Sequence, residues 1–256
     1  MNKLIIANWK MNPLTPHDAK VLYEVEYKGA VGVQGVTTVL CSPTCYLAML
    51  AEEDPPSEQH HVMRGAQNMF WEEEGAYTGE TSPVMLTACG VRYVIIGHSE
   101  RRNYLKETDE TIQKKINAAL QHNLIPIFCV GETATEKAQG ETHAVLERQI
   151  RDGLSGIEEI ADSETQRRIV VAYEPRWAIG TGTPETAEDT VQVIRFLKTL
   201  VSEYSAFSFT FIYGGSLNDE NARMYLGESE IEGALVGGAS LDAEKFERII
   251  RIASEV

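Results

Sequence analysis

Eight short apolar runs recur along this chain of 256 residues, and helical stretches separate most of them. The strongest runs are short and rich in β-branched residues, which is typical of strands that are buried on both faces of a parallel sheet. Strands that alternate with helices predict an α/β fold with crossover connections. The predicted strands are residues 4–8, 36–40, 62–65, 91–96, 124–130, 169–173, 208–213 and 233–236.

The intervening stretches show the period of amphipathic helices. Thr108 can begin a helix in which Ile112, Ile116 and Leu120 recur at a spacing of four residues. Residues 241–252 show a similar face and are predicted to close the chain. The length suits a single α/β barrel of about 250 residues, but spacing alone does not distinguish a closed barrel from an open doubly wound sheet.

The residues at the strand ends favour the barrel. Polar side chains or glycines follow most of the predicted strands, and a parallel barrel gathers all such ends on one face, where barrels of this kind have their active sites. An open sheet would spread the same residues along a crevice. The residues concerned are Asn8 and Lys10, His98, Glu132, Glu174, Ser216, and Gly237 with Gly238.

Composition excludes several classes of partner. The formal net charge of −15 argues against nucleic acid or an anionic membrane. Any anionic substrate must therefore be attracted by local groups. No apolar run approaches the roughly 20 residues of a membrane helix, and the N-terminal run is too short for a signal peptide. The four cysteines are sparse, and their spacing does not match the paired cysteines of metal sites. We therefore expect reduced thiols and a cytoplasmic protein.

Three side chains are candidates for acid–base chemistry. Glu174 stands where a buried strand ends, followed by Pro175 and a glycine-containing loop, which is an arrangement suited to proton abstraction in a shielded site. His98 precedes a predicted helix start, where the positive end of the helix dipole favours a neutral imidazole. Taken alone, Lys10 could be a surface lysine and His98 a structural histidine.

The glycine-containing loops predict an anion site. Ser216 follows two glycines, Gly237 and Gly238 open the next strand-end loop, and Gly180 lies in a third. Backbone N–H groups in such loops can bind a phosphate. The sequence contains no dinucleotide-binding, P-loop or zinc-protease motif, so we expect neither an organic cofactor nor a metal.

Taken together, these motifs resemble the triosephosphate isomerase family over essentially the whole chain. The resemblance implies a (β/α)8 TIM barrel that forms one domain over residues 1–256. The motifs are Asn8-Trp9-Lys10-Met11-Asn12, Gly65-Ala66-Gln67-Asn68, Gly75-Ala76-Tyr77-Thr78-Gly79-Glu80, Ile96-Gly97-His98-Ser99-Glu100-Arg101-Arg102, Cys129-Val130-Gly131-Glu132-Thr133, Tyr173-Glu174-Pro175, residues 178–182, Tyr213-Gly214-Gly215-Ser216 and residues 235–241.

The resemblance also implies a reaction and a role for each site residue. The reaction would interconvert dihydroxyacetone phosphate and D-glyceraldehyde 3-phosphate in glycolysis and gluconeogenesis. The implied roles are base for Glu174, electrophile for neutral His98, enediolate stabilisation for Lys10 with Asn8, phosphate binding for Gly180, Ser216 and Gly238 with Gly237 shaping the turn, and a loop anchor for Trp177 through Glu132. The loop after Glu174 would close to keep water from the enediolate.

The family is usually dimeric, and the resemblance implies the same for this chain. The loop of residues 75–80 would insert into the site of a second copy. Thr78 would then lie near Asn12 and Glu100 of the partner subunit, and Glu80 would pair with Arg101.

Two features depart from the family pattern. Arg176 stands where the family usually has an aliphatic residue. In addition, the family usually has a lysine and two or more further residues between its Gly-Thr-Gly and the Pro-Glu of the next helix. Here Gly182 leads directly into Thr183-Pro184-Glu185, which is predicted to be the N-cap, first residue and first-turn acid of that helix, so the segment after Gly182 is shorter than usual. The departures keep open a sister isomerase of a longer ketose phosphate, such as a tetrulose phosphate. A non-catalytic phosphate-binding barrel is a third reading, but it would not need the base.

Overall fold

The structure is a computed structural model, and it describes residues 2–53, 61–160, 167–178 and 185–256. Eight strands close into one barrel in chain order, and every pair of neighbours is parallel. The predicted closed (β/α)8 barrel is therefore confirmed. The strands are β1 (Lys3–Asn8), β2 (Val36–Ser42), β3 (Val62–Ala66), β4 (Val91–Ile96), β5 (Ile125–Val130), β6 (Arg167–Tyr173), β7 (Phe207–Tyr213) and β8 (Gly233–Val236).

Helices follow the strands and surround the barrel. The helix predicted from Thr108 is present, and Thr108 caps it in a reciprocal hydrogen-bonded box with Thr111. The described helices are α1 (Pro16–Ala30), α2 (Thr44–Glu53), α3 (Pro83–Ala88), α4 (Ser99–Tyr104), α5 (Asp109–Gln121), α6 (Ala134–Ala138), α7 (Thr142–Gly153), α8 (Ala187–Leu200), α9 (Ala222–Leu226) and α10 (Ala243–Ser254).

Two apolar layers explain why the strands are apolar on both faces. One layer fills the barrel interior with alternate strand residues such as Ile6, Ile95 and Ile127. The other lies between the barrel and the helices and includes Ile112 and Phe246. A strand between two such layers has no water-facing side, so its sequence shows a continuous apolar run.

The start of α8 corrects the prediction for the segment after Gly182. The helix begins at Ala187, and its N-cap is Thr186, whose hydroxyl accepts a hydrogen bond from the backbone N–H of Asp189. Thr183 is therefore not the cap, and three residues separate Gly182 from the cap instead of none. The predicted cap was wrong, whereas the shortening relative to the family pattern stays a prediction, and Thr183 and Pro184 themselves lie outside the described residues.

No helix among the described residues is both long and apolar enough to cross a membrane. The expectation that residues 1–256 form one domain stays a prediction.

Candidate active site

A cavity of about 220 Å³ opens at the C-terminal ends of the strands. It brings together seven of the eight residues for which the sequence implied catalytic or binding roles, and the eighth, Gly180, lies outside the described residues. Lys10 carries the only permanent positive charge among the described residues that line it. The seven are Asn8, Lys10, His98, Glu174, Ser216, Gly237 and Gly238.

Glu174 is the first residue after β6, and the residue is only 1% exposed. One carboxylate oxygen, Oε2, accepts a hydrogen bond from the backbone N–H of Ser99 at 2.9 Å. The other, Oε1, lies 3.2 Å from His98 Nε2 and accepts no hydrogen bond from the described residues. The site thus holds a buried carboxylate with one free acceptor oxygen next to an imidazole.

Glycine at position 131 allows the backbone around Glu174 to fit. A Cβ atom on Gly131 would lie 1.8 Å from the Glu174 carbonyl oxygen, so no larger residue can occupy this position without moving the strand end. The backbone N–H of Glu174 in turn donates to the Val130 carbonyl at 2.8 Å. The end of β5 therefore fixes the position of the Glu174 backbone, from which the carboxylate extends.

His98 is the N-cap residue of α4, as the sequence predicted for its position before a helix start. Its Nδ1 accepts a hydrogen bond from the backbone N–H of Glu100 at 3.2 Å. A ring nitrogen that accepts carries no proton, so the proton of the neutral ring is on Nε2. That N–H points to the side of the ring where Glu174 lies, and it can donate to a substrate oxygen in the cavity.

Lys10 follows β1 with a φ of 55°, in the left-handed region that non-glycine residues rarely adopt. Its backbone N–H donates to Asn8 Oδ1 at 3.0 Å, which supports this turn. Its ammonium group contacts Glu100 Oε1 at 2.6 Å. The bend directs the lysine side chain back over the barrel, where its Cε would lie 3.2 Å from a Cβ atom on Gly237.

Two strand-end loops form the other side of the cavity. Ser216 Oγ donates to the Ala178 carbonyl at 2.7 Å, and Asn221 Nδ2 donates to the Ser216 carbonyl at 3.0 Å. Gly238 begins a short helical turn, Gly238–Leu241. Sequence reasoning missed Asn221, because an asparagine five residues beyond a glycine loop gives no local sign that it holds that loop.

A cluster of buried polar groups lies behind the cavity. Trp177 Nε1 donates to Glu132 Oε1 at 3.0 Å, which is the contact that the resemblance implied. The Tyr173 hydroxyl also donates to Glu132 and, at 3.2 Å, to Glu185 Oε2. Burial raises the pKa of Tyr173 well above its usual range, so this hydroxyl stays protonated and can donate.

Lys137 completes this cluster. Its ammonium group contacts Glu185 Oε1 at 2.7 Å and lies 4.0 Å from the centre of the Trp177 ring. The sequence did not predict the roles of Tyr173, Lys137 and Glu185, since they come from separate elements and no shared motif links them.

Comparisons with known proteins agree with this geometry. A family model described as triosephosphate isomerase matches residues 3–253. Triosephosphate isomerase of Dictyoglomus turgidum is 44% identical over 255 residues, which cover 97% of this chain and 98% of that protein. Triosephosphate isomerase of Caldanaerobacter subterraneus subsp. tengcongensis is 45% identical over 251 residues, covering 96% and 98%.

A solved structure supports the same assignment. The crystal structure of triosephosphate isomerase from Bartonella henselae superimposes with a TM-score of 0.83 at 30% identity, covering 98% of this chain and 99% of that one. The chain therefore belongs to the triosephosphate isomerase family.

Proposed function

We propose that Glu174, His98, Lys10 and Asn8 carry out the reaction of this family, the interconversion of dihydroxyacetone phosphate and D-glyceraldehyde 3-phosphate through an enediolate. The observation that carries the proposal is the Glu174–His98 pair, 3.2 Å apart in a cavity that Lys10 and Asn8 also line. A barrel that only bound phosphate would not need a buried carboxylate with a free acceptor oxygen.

Each group supplies one part of the chemistry. Glu174 removes a proton from one carbon of the substrate and returns it to the neighbouring carbon. The Nε2–H of His98 donates to the substrate oxygens as their charge changes, following the division between glutamate base and neutral imidazole that is known in this family. Lys10 provides the positive charge that stabilises the enediolate oxygen, and Asn8 supports its backbone turn.

The phosphate group binds to the glycine-containing loops at the strand ends. We assign it to the backbone N–H groups of Gly180, Ser216 and Gly238, with Gly237 shaping the turn. The support is that Ser216, Gly237 and Gly238 line the same cavity as the base. With a net charge of −15, the protein as a whole repels an anion, so these local N–H groups and Lys10 must provide the attraction.

The sister isomerase of a longer ketose phosphate is not favoured, because the relatives that match nearly the whole chain are named triosephosphate isomerase. The sequence feature that supported this alternative is the segment after Gly182, which is shorter than the family pattern. Arg176 remains as a departure from the family pattern.

A coupled assay of the purified protein tests the choice of substrate. The protein is offered D-glyceraldehyde 3-phosphate and, separately, a tetrulose phosphate. We expect fast turnover of the triose and at least about 100-fold lower kcat/KM for the tetrulose, because the relatives that match nearly the whole chain are triosephosphate isomerases. A preference for the tetrulose would overturn the proposal.

We also propose a homodimer. The loop of residues 75–80 is exposed throughout. A second cavity of about 460 Å³ adjoins the catalytic one, shares Asn8, Lys10 and His98 with it, and is lined by Met11 and Tyr104. Met11 is 89% exposed and Tyr104 is 79% exposed. Large exposed apolar side chains around a cavity are typical of an interface, and the family precedent assigns this one to the partner's Thr78.

A cytoplasmic location in glycolysis and gluconeogenesis completes the proposal. All four cysteines are free thiols, as expected in a reducing compartment. The two triose phosphates are intermediates that a reversible isomerase can supply to either direction of sugar metabolism.

A further inference from the structure

Arg176 is a charged residue two positions after Glu174, at a place where the family usually has an aliphatic side chain. Its backbone N–H donates to the Glu132 carbonyl at 3.0 Å, which fixes the turn behind the base. Its guanidinium group donates through Nη2 to the side-chain oxygen of Asn103. The residue therefore joins the turn after β6 to α4.

The surroundings of Arg176 do not favour a charge. Burial lowers the pKa of its guanidinium, and so does the neighbouring charge of Arg102, while Glu136, Glu174 and Asp109 act in the opposite direction. Its Nε atom is buried and has no hydrogen-bond partner among the described residues. A buried donor without a partner costs stability, so stability does not explain why an arginine occupies this position.

Helix α4 contacts the base at its other end. Its first turn supplies the Ser99 N–H that binds Glu174 Oε2, and its N-cap is His98, whose Nε2 lies 3.2 Å from Oε1. Asn103 is the next-to-last residue of the same helix. Helix α4 therefore contacts the segment after β6 at both of its ends. Ser99 binds the Glu174 carboxylate, and Asn103 binds the Arg176 guanidinium.

We propose that Arg176 is a positioning residue for the base. By binding Asn103 it holds α4 against the turn that follows Glu174, and so maintains the distance between the Glu174 carboxylate and the His98 imidazole. The inference rests on the proposed isomerase function. Proton transfer is sensitive to such distances, because a displacement of about 1 Å at a reacting group can slow a reaction by about 100-fold.

Substitution of both partners tests the proposal. The variants are Arg176→Leu, Asn103→Ala, the double variant, and Arg176→Lys, which keeps the charge and a donor. Arg151→Leu is the matched control, since Arg151 is an exposed arginine in α7 that pairs with the adjacent Asp152. For each protein we would measure kcat and KM for D-glyceraldehyde 3-phosphate, the deuterium isotope effect with substrate labelled at the transferred hydrogen, and Tm.

The expected pattern separates positioning from structural support. Arg176→Leu and Asn103→Ala should each lower kcat by about five-fold, the effect of one hydrogen bond, with KM changed less than about two-fold and a larger isotope effect. The double variant should match Arg176→Leu, and Arg176→Lys should recover most of kcat. The Tm of Arg176→Leu should equal or exceed that of the wild type. Arg151→Leu should change none of these.

Three results would overturn the inference: an unchanged kcat in Arg176→Leu, a kcat loss accompanied by a lower Tm, or additive losses in the double variant. A wild-type protein that does not turn over the triose phosphate would overturn the proposed function as well, so the two failures are distinguishable.

Discussion

At the scale of single residues, the proposed chemistry depends on which ring nitrogen of His98 carries the proton. The ring accepts from the Glu100 N–H at Nδ1, so Nε2 is the donor that faces the cavity. Loss of one donor to a developing oxyanion typically costs about 100- to 1000-fold in rate. His98→Asn should therefore lower kcat by about that factor. His17→Asn, at an exposed position in α1, is the control, and an equal loss in both variants would contradict the assignment.

Glu26 is a buried carboxylate whose pKa should affect the pH dependence of stability. Its side chain is 2% exposed, Oε2 accepts a hydrogen bond from Trp9 Nε1 at 2.9 Å, and Oε1 has no partner among the described residues. Burial raises the pKa of Glu26 well above its ordinary value of about 4.5, and the Trp9 hydrogen bond only partly opposes this. The folded protein thus keeps a proton that the unfolded chain releases.

The contribution of Glu26 to the free energy of unfolding depends on pH. Above the unfolded pKa, the unfolded state binds fewer protons than the folded state, so this residue's contribution to stability falls as the pH rises. Glu26→Gln removes the titration. Its free energy of unfolding, relative to the wild type, should increase between pH 5 and pH 8 in denaturant titrations at fixed protein concentration. A constant difference over that range would show that Glu26 is not protonated in the folded protein.

At the scale of secondary-structure elements, Glu185 connects the start of α8 to the barrel. Its carboxylate pairs with Lys137 of α6 and accepts from Tyr173 of β6, while its carbonyl accepts from the Tyr225 hydroxyl of α9. Glu185 is 4% exposed, so removal of its cation leaves a buried charge with less compensation.

Lys137→Met should lower the free energy of unfolding by about 1–3 kcal/mol, less than for a fully buried pair because Lys137 is partly exposed. The control is Lys114→Met, which breaks an exposed pair with Glu110 within α5 and should cost about 0.5 kcal/mol or less. Chemical unfolding of both variants measures the difference. Equal costs would show that the Glu185 cluster does not stabilise this junction.

The same junction shows how far the sequence predicts the elements. Most of the strands were predictable because they lie between two apolar layers and most of their residues are apolar. The start of α8 was not, since Thr183-Pro184-Glu185 and Thr186-Ala187-Glu188 offer two adjacent cap signatures. The choice between them depends on the buried contacts of Glu185 with Lys137 and Tyr173, which no local pattern reveals.

The candidate site was likewise only partly predictable from the sequence. Glu174, His98, Lys10 and Asn8 could be named because they follow strand ends and match a family motif. The contacts that orient them could not, because the Ser99 and Glu100 N–H groups belong to the backbone and have no sequence signature.

At the scale of the whole molecule, the exposed loop of residues 75–80 and the apolar cavity around Met11 predict that the protein works as a dimer. Thr78→Arg would place a long charged side chain in the proposed interface and should produce monomers with at least about ten-fold lower kcat. Thr199→Arg, at an exposed position in α8, is the control. Light scattering and assays at the same concentration test this, and a fully active wild-type monomer would contradict it.

One substitution tests whether Glu174 is the base that moves the proton. Glu174→Asp shortens the side chain by one methylene group and withdraws the carboxylate by about 1 Å, which should lower kcat by about 100-fold or more. Inorganic phosphate should still bind with nearly wild-type affinity, because the phosphate loops are untouched. Glu147→Asp, at an exposed position in α7, is the matched control. Measured beside that control, an unchanged kcat in Glu174→Asp would contradict the account.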